Sequence, residues 1–270
     1  MLPPDDDAAY LEIIGFALMA ISNETITSKR LMTTNTPTVP SRANIHQMFD
    51  RISRRYDLLN HLLSLGLDFY WRRRAVDKLD RKPNQRILDL ACGTGDLALA
   101  AANRLNNGCR LIAIDKAPQM LQLAADKLAR CRVNSISLAL GDGMALPIKD
   151  ASLDAAMIAF GIRNMPDTSE CLGEIHRLLN LGGKALVLEF SLPSNRLLRS
   201  LHRFYLRRIV PTVGRIVSGD EYAYSYLNQT IETYVQGEAF CELMRHVGFV
   251  EVVAEPISFG IVTIYTGRKI

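Results

Sequence analysis

Cysteine clusters, long apolar runs and a large excess of one charge are all missing from this sequence of 270 residues. The five cysteines are scattered, with no Cys-x-x-Cys pair and no Cys/His group at metal-ligand spacing, which argues against a disulfide scaffold and a zinc site. The apolar stretch at 8–21 contains Glu12, follows three aspartates and is shorter than the ~20 residues of a membrane span. We therefore expect a reduced, cytoplasmic protein without a metal ion.

The composition is otherwise that of an ordinary globular protein, with 48% hydrophobic and 22% charged residues. These fractions exclude a disordered, collagen-like or coiled-coil chain. The net charge of +4 is too small to indicate a nucleic-acid partner by itself. We expect no nucleic acid among the partners.

The first 41 residues differ from the rest of the chain. They begin acidic, continue with the short apolar stretch and end in a polar run rich in turn-forming residues at 33–41. This pattern predicts a flexible N-terminal extension over 1–41. Two alternatives remain open: the natural protein starts at Met32, so that 1–31 are an upstream extension, or the segment contains a short docking helix.

The pattern from 42 to 270 predicts one α/β domain. Helical periodicity over 42–82, interrupted at Ser64-Leu65-Gly66, indicates a helical cap. Between 83 and 190 short apolar strands alternate with helices, which requires a mostly parallel sheet with helices on both faces. Strands are expected at 86–91, 110–114, 135–140, 155–160 and 185–190, with helices at 96–106, 117–130 and 168–180. The glycines of Leu181-Gly182-Gly183 are expected to stop the third of these helices.

The C-terminal part has two further predicted regions. A helical insertion over 191–235 is expected to face the substrate or a membrane, and 236–270 is expected to form a helix and strands. Strands at 250–254 and 260–265 would form an antiparallel pair at one edge of the sheet.

The densest motif is a strand that runs into a glycine turn at 87–96. Gly93, Gly95 and Ala98 satisfy the loose dinucleotide pattern, and Asp115 lies at the end of the next strand, where an acid binds ribose hydroxyls. Asp89 and Asp96 flank the turn, and their charges would oppose a diphosphate and favour a cationic ligand. S-adenosylmethionine, which carries a sulfonium and an ammonium group but no phosphate, is therefore preferred over NAD.

A second turn, Gly141-Asp142-Gly143, follows the third predicted strand. Its aspartate and the next backbone N–H could recognise an adenine, although an ordinary Asp-Gly turn would look the same. The ends of these strands meet at one edge of the sheet, where open α/β sheets bind ligands. The candidate cofactor-binding residues are Asp89, Gly93, Thr94, Gly95, Asp115, Asp142 and Gly143.

These residues, with others along the chain, resemble the ubiquinone/menaquinone biosynthesis C-methyltransferases. The resemblance covers about 46–268 and rests on Met-Phe-Asp at 48–50, Tyr-Asp-Leu-Leu-Asn at 56–60, Ser-Leu-Gly at 64–66, Trp-Arg-Arg at 71–73, the glycine motif at 88–96, Phe-Gly-Ile-Arg-Asn at 160–164 and Leu-Glu-Phe-Ser at 188–191. It implies a Rossmann-like class I methyltransferase with a seven-stranded sheet, S-adenosylmethionine as the cofactor, and cofactor contacts at Thr94, Asp115, Asp142 and Gly143. Two residues depart from the family pattern: Ala159 replaces a common serine and Tyr265 a common histidine.

The resemblance also implies the reaction, which is methylation of a ring carbon of a polyprenylated quinol. The quinol must be reduced, because only the electron-rich ring is a nucleophile. Arg163 and Asn164 are expected to stabilise the phenolate oxygen, unless Arg163 only pairs with an acid and Asn164 only caps a turn. The proton acceptor stays open between Tyr56, His61 and a water held by Arg163.

The segment 196–217 contains six arginines and no Asp or Glu, and its apolar residues recur at helical spacing. Such a helix can lie on an anionic membrane, which would place the protein on the inner face of the cytoplasmic membrane; packing onto the core is the alternative. Other functions also remain open: methylation of another small amphipathic acceptor, or a non-catalytic S-adenosylmethionine-binding scaffold of a quinone-synthesis complex. The sequence leaves the choice of naphthoquinol or benzoquinol and the oligomeric state undetermined.

Overall fold

A seven-stranded sheet lies at the centre of the computed structural model, which describes residues 45–105, 108–218 and 221–270. The strands are β1 (Arg86–Leu90), β2 (Arg110–Asp115), β3 (Ile136–Leu140), β4 (Leu153–Ala159), β5 (Leu179–Phe190), β6 (Val250–Ile257) and β7 (Val262–Arg268). Their order is β3-β2-β1-β4-β5-β7-β6, and β7 runs in the direction opposite to the other six strands. The mostly parallel sheet and the antiparallel edge pair are confirmed.

The helices of the described ranges are α1 (Ile45–Leu63), α2 (Leu67–Val76), α3 (Asp96–Leu105), α4 (Pro118–Cys131), α5 (Thr168–Leu178), α6 (Arg196–Phe204), α7 (Val210–Ser218), α8 (Glu221–Thr233) and α9 (Glu238–Val247). Successive strand residues belong to different core clusters, as Ile87 and Leu88 illustrate. Ile87 packs with α2 and α3 on one face, and Leu88 packs with α5 and α9 on the other. This alternation explains why a sheet buried on both faces reads as continuous apolar runs.

A third apolar cluster joins α1, which precedes the sheet in sequence, to the segment between β5 and β6. Met48, Ile52 and Leu59 of α1 pack against Leu206, Val210 and the tyrosines of α8. Phe190, at the end of β5, contacts both this cluster and the first face of the sheet. The helical cap therefore sits beside the carboxyl end of β5.

One boundary prediction is wrong. Helix α5 ends at Leu178 and β5 begins at the next residue, so the Leu181-Gly182-Gly183 turn lies within the strand rather than before it. The register with β4 jumps from Leu179 to Lys184. The extra residues form an irregularity in which Gly182, at φ 77°, donates to the Lys269 carbonyl. Glycine is needed for this bulge and not for a helix cap.

The basic segment is not one regular helix. Residues Tyr205–Ile209 form a π-helical turn between α6 and α7. Pro211 lacks the N–H that would bond to the Arg207 carbonyl, which explains the wider turn. No helix in the described ranges has the length and hydropathy needed to cross a bilayer. The predictions for 1–41 lie outside the described residues, and the division of 42–270 into segments stays a prediction.

Candidate functional site

The glycine turn after β1 is held against the end of β2 by one carboxylate. Gly93 and Gly95 have φ of 55° and 84°, values that favour glycine over residues with a Cβ. Asp115 accepts from the Gly93 N–H through Oδ2 at 2.7 Å and from the Ala117 N–H through Oδ1 at 2.8 Å. Burial raises the pKa of Asp115, while these N–H groups act in the opposite direction. The carboxylate is thus fixed at the carboxyl end of β2, with lone pairs left for a ligand.

A first cavity, which we call the sheet-edge cavity, opens beside this carboxylate. Its wall includes Gly93, Asp115, Asp142, Gly143, Ala159 and Asn164. These residues lie at or just after the carboxyl ends of β1, β2, β3 and β4, as expected for a ligand site in an open α/β sheet. Gly161 is also in the wall, and a Cβ there would come within 2.8 Å of the Ala91 Cβ. The structure therefore brings together four of the seven predicted cofactor residues.

Asp89 is buried beneath the turn with no well-formed hydrogen bond to either carboxylate oxygen. Burial raises its pKa to about 8, opposed by the Ala98 N–H and reinforced by the charge of Asp115. A buried acid without a cation is costly, so its proton is retained near neutral pH. A cation bound near Asp89 would favour loss of this proton, whereas a phosphate would not.

Asp89, Thr94 and Gly95 are not in the walls of the two cavities described here. The Thr94 hydroxyl donates to Asp57 at 2.6 Å and accepts from Lys127 at 3.0 Å. Lys127 also forms ion pairs with Asp57 and Asp96. This network ties α1 to α3 and α4. The cofactor contact of Thr94 stays a prediction, and its hydroxyl is already engaged.

His61, a candidate proton acceptor, belongs to a second polar cluster. Its Nδ1 lies 2.8 Å from Asp68 Oδ2, and its ring stacks on Phe69. Burial alone would raise the pKa of Asp68, but Arg72, Ser64 and His61 together lower it. Asp96 lies close enough to complete a set of three possible metal ligands, yet Arg72 pairs with both aspartates. The cluster is therefore a neutralised ion network.

A second cavity, the helical cavity, lies between α1, α2 and the segments from α6 to α8. Its wall is mainly apolar and aromatic and includes Tyr56, Trp71, Phe190 and Tyr226. Two arginines, Arg72 and Arg163, also line it. An apolar chamber with few polar groups is typical of a small-molecule site.

Arg163 forms a buried pair with Glu189 in the wall of the helical cavity. Its Nη1 lies 2.7 Å from Glu189 Oε1, and the guanidinium lies 5.3 Å from the centre of the Phe190 ring. The two residues are only 4% and 1% exposed, and Arg163 Nε has no hydrogen-bond partner among the described residues. Burial raises the pKa of Glu189, and the arginine opposes this shift. Arg163 thus pairs with an acid and also lines a cavity. Pairing with an acid therefore does not exclude a role in stabilising a phenolate.

The two cavities meet at Phe49, Tyr56 and Phe160, which line both. Phe160 has φ 56°, an uncommon value for a bulky residue. Burial raises the pKa of Tyr56, while Asn60 and Arg163 lower it. This junction lets ligands in the two cavities approach each other.

Asn164 lies on the other side of the junction from Arg163. It lines the sheet-edge cavity, and its Oδ1 accepts from the Tyr226 hydroxyl at 3.2 Å. The two predicted phenolate-stabilising residues are therefore divided between the cavities.

Three site residues escaped the sequence reasoning as individual candidates: Glu189, Tyr226 and His202. Glu189 carries a signal, because it is a charged residue inside the apolar run of β5. His202 and Tyr226 carry none, since helical histidines and tyrosines are common at partly buried positions.

Of the two departures from the family pattern, Tyr265 has a local structural role, and nothing in the structure explains Ala159. Ala159 lines the sheet-edge cavity without a hydroxyl. Tyr265 accepts from the Gly237 N–H at 2.8 Å through its hydroxyl and stacks against Phe240, so it supports the start of α9.

Comparison with known proteins gives one consistent result. The model of the ubiE/COQ5 methyltransferase family matches residues 38–269. The demethylmenaquinone methyltransferase of Thermus thermophilus is 43% identical over 222 residues, which are 82% of this chain and 100% of the relative. The ubiquinone/menaquinone biosynthesis C-methyltransferase UbiE of Geotalea daltonii is 39% identical over 226 residues, with 83% of this chain and 96% of the relative covered.

Solved structures match the fold at much lower identity. A SAM-dependent methyltransferase from Thermotoga maritima has a TM-score of 0.57 at 20% identity and covers 84% of this chain and 100% of its own. Phosphoethanolamine N-methyltransferase 2 of Haemonchus contortus, in complex with S-adenosyl-L-methionine, has a TM-score of 0.61 at 15% identity, with 96% and 74% covered. These similarities establish the Rossmann-like methyltransferase fold.

Proposed function

The chain belongs to the ubiE/COQ5 methyltransferase family and is an S-adenosylmethionine-dependent C-methyltransferase of quinone biosynthesis, and from this premise we propose that its acceptor is a demethylmenaquinol. The ring is methylated in its reduced, dihydroxy form and carries a polyprenyl tail. Two of the relatives described above are named for this kind of acceptor, one for menaquinone alone and one for both quinones. A benzoquinol precursor of ubiquinone is the other member of the class.

The observation that carries the proposal is the junction of the two cavities at Tyr56 and Phe160. One cavity has acidic groups at the ends of parallel strands, and the other is apolar and contains a buried arginine. A cationic nucleoside fits the first, and an aromatic ring with a hydrocarbon tail fits the second. Methyl transfer between them requires that the two reacting atoms meet at the junction.

The residues around the sheet-edge cavity fit S-adenosylmethionine. Asp115 offers free lone pairs to ribose hydroxyls, and the buried, unpaired Asp89 would gain a cation nearby. Asp142 accepts from the Met144 N–H and forms an ion pair with Lys116, which orients it at the end of β3. When bound, the cofactor would supply an electrophilic methyl group, and the electron pair of the broken carbon–sulfur bond would stay on the sulfur. The protein has only to bind the cofactor and the acceptor, orient them toward each other and exclude water.

On the acceptor side, Arg163 is the main electrostatic residue. As one quinol oxygen gains phenolate character, charge moves onto the ring carbon that forms the new bond. A guanidinium held by Glu189 and the Phe160 carbonyl cannot turn away, so it stabilises this charge with little reorganisation. The proton of the methylated carbon then leaves to restore aromaticity.

We propose that Tyr56 accepts this proton, directly or through a water molecule. Tyr56 is the ionisable residue that lines both cavities at their junction. Burial raises the pKa of Tyr56, and Arg163 and Arg72 act in the opposite direction. His61 is bonded to Asp68 and is not in either wall.

We also propose that the mouth of the helical cavity contacts an anionic membrane. Leu65 and Phe204 line this cavity and are 49% and 41% exposed, and Leu197 and Ile216 are more exposed still. Arginines accompany them along 196–217, a segment without acidic residues. Leu206 and Val210 pack into the core, so the segment serves as a cavity wall and as a surface at once. The polyprenyl tail of the quinol could then stay in the lipid while the quinol ring enters the helical cavity.

Flotation with vesicles containing anionic lipid tests the membrane proposal. We expect binding at low salt that weakens at high salt, because charge attraction is screened. An Arg203→Gln/Arg208→Gln variant should bind less, and Arg86→Gln/Arg110→Gln, which removes two charges at exposed positions on β1 and β2, is the matched control. Absence of the protein from the vesicle fraction at low salt would contradict the proposal.

Incubation with labelled S-adenosylmethionine and a panel of demethylated quinones tests the function. We expect label in the ring of the reduced naphthoquinol and none from the oxidised form under controlled redox conditions. Exclusive methylation of the benzoquinol would shift the acceptor to the ubiquinone branch. Equal turnover of quinone and quinol would refute the mechanism.

A further inference from the structure

His202 is a buried polar residue in the wall of the helical cavity. It lies on α6, is 6% exposed and lines the helical cavity. Neither ring nitrogen has a hydrogen-bond partner among the described residues. Leaving a buried polar group unsatisfied is costly, and such groups are rare in native proteins. An apolar side chain would fill this position at lower cost if packing were its only purpose.

The imidazole is neutral at physiological pH. Burial lowers the pKa of His202 to about 4, although the nearby charge of Glu232 acts in the opposite direction. A neutral imidazole offers one N–H donor and one nitrogen acceptor. The torsion of the ring about its attachment bond is soft, so a small rotation can turn a nitrogen toward a ligand.

We infer that His202 is the hydrogen-bond partner of one ring oxygen of the acceptor. The inference rests on the proposed function and adds to it a second polar contact within the helical cavity. A quinol carries two oxygens on opposite sides of its ring, and one positive group cannot hold both. Arg163 stabilises the oxygen that becomes anionic, and His202 holds the other. His202 is therefore a specificity-determining residue, which rejects acceptors that lack an oxygen at that position.

The size of this discrimination follows from hydrogen-bond energies. A net hydrogen bond of about 0.5–1.5 kcal/mol corresponds to roughly 2- to 12-fold in affinity. A ligand lacking the oxygen would leave the imidazole unpaired, as it is in the free protein. The hydrogen bond thus distinguishes acceptors without contributing to the stability of the empty enzyme.

Replacement by phenylalanine separates a binding role from a structural one. His202→Phe keeps a planar ring and removes both nitrogens. We expect the unfolding temperature without ligand to stay the same or rise, because an unsatisfied polar group has been removed. A clear fall in unfolding temperature would indicate that the imidazole makes stabilising hydrogen bonds, through water for example, and would overturn the inference.

Binding is measured with three ligands in the presence of S-adenosylhomocysteine, so that no turnover occurs. The first is a 1,4-dihydroxynaphthalene with a short prenyl chain, and the other two each lack one of its hydroxyls. Wild type should bind the compound that lacks the oxygen assigned to His202 roughly 2- to 12-fold more weakly than the parent, and His202→Phe should bind that compound and the parent equally. The compound that lacks the oxygen assigned to Arg163 should stay weaker than the parent in both proteins. His202→Gln, which keeps a donor and an acceptor, should restore part of the difference.

The matched control is Ile209→Val, because Ile209 lines the same cavity with an apolar side chain. This change should affect the three ligands by the same factor. A loss that is equal for all three ligands in His202→Phe would refute the inference while leaving the proposed function intact. Failure of wild type to bind or methylate the dihydroxy compound would instead refute the proposed function and the inference with it.

Discussion

Removal of Arg163 should affect stability and catalysis separately, and the two effects can be told apart. Arg163→Ala leaves Glu189 buried at 1% exposure without its cation. Breaking a buried ion pair by removing one partner costs about 3–5 kcal/mol. For a domain of this size each kcal/mol lowers the unfolding temperature by about 2–4 °C, so we expect a decrease of roughly 6–20 °C.

The stability loss should depend on pH. The folded-state pKa of Glu189 is raised by burial, and it rises further when Arg163 is absent. A carboxyl whose pKa is higher in the folded state binds more protons there than when unfolded, so stability falls as pH rises between the two pKa values. The penalty of Arg163→Ala should therefore be smaller near pH 5 than near pH 8 in calorimetric unfolding.

The double variant Arg163→Ala/Glu189→Gln is the control for folding. It removes both charges of the pair and should recover most of the lost stability. Its kcat should remain about 10²–10³ below wild type, because the electrostatic donor is still missing. Arg163→Lys should lie between wild type and Arg163→Ala in rate, since it keeps the charge without the planar fork. Recovery of kcat in the double variant, or unchanged stability in the single one, would refute this account of Arg163.

Two further predictions concern the cofactor side. Asp115→Ala should weaken S-adenosylmethionine binding by roughly 1.5–3 kcal/mol, because a charged acceptor of the ribose hydroxyls is lost; an unchanged dissociation constant by calorimetry would remove Asp115 from the site. Asp89, with its pKa raised to about 8, should lose its proton when a cation binds nearby, so it should make cofactor affinity increase as pH rises from 6.5 to 9. Asp89→Asn is the reference for this measurement, and an identical pH profile in both proteins would contradict the proposed linkage.

Much of the sheet was predictable because a strand buried on both faces has a short apolar run in the local sequence. The runs at 87–90 and 111–114 are short, apolar and bounded by turns, and their positions agree with β1 and β2. The glycine pair at 182 and 183 misled the prediction, since glycine serves equally at a helix end and at a bulge. Only the pairing with β4 and the chain end distinguishes the two, and that pairing is non-local.

The candidate site also has a part that the local sequence predicts and a part that depends on contacts between distant residues. Asp115 and Asp142 follow strands, so their convergence at one edge follows from topology alone. The partners of Arg163, Asn164 and Thr94 come from β5, α8 and α1, which are distant in sequence. No local pattern records such contacts. The sequence therefore offered Arg163 and Asn164 as candidates but did not show that they are divided between two cavities.

The third apolar cluster has a consequence for how the protein is made. Ile52 of α1 packs near Leu206, which lies 154 positions later in the chain (206 minus 52). At about 5–20 residues per second, a ribosome needs roughly 8–30 s to make that interval. During this time the apolar face of α1 has no native partner, while the first strands and the glycine turn already exist. We expect chaperones to bind the nascent chain at α1. We also expect the wall of the helical cavity to be among the last parts of the enzyme to assemble.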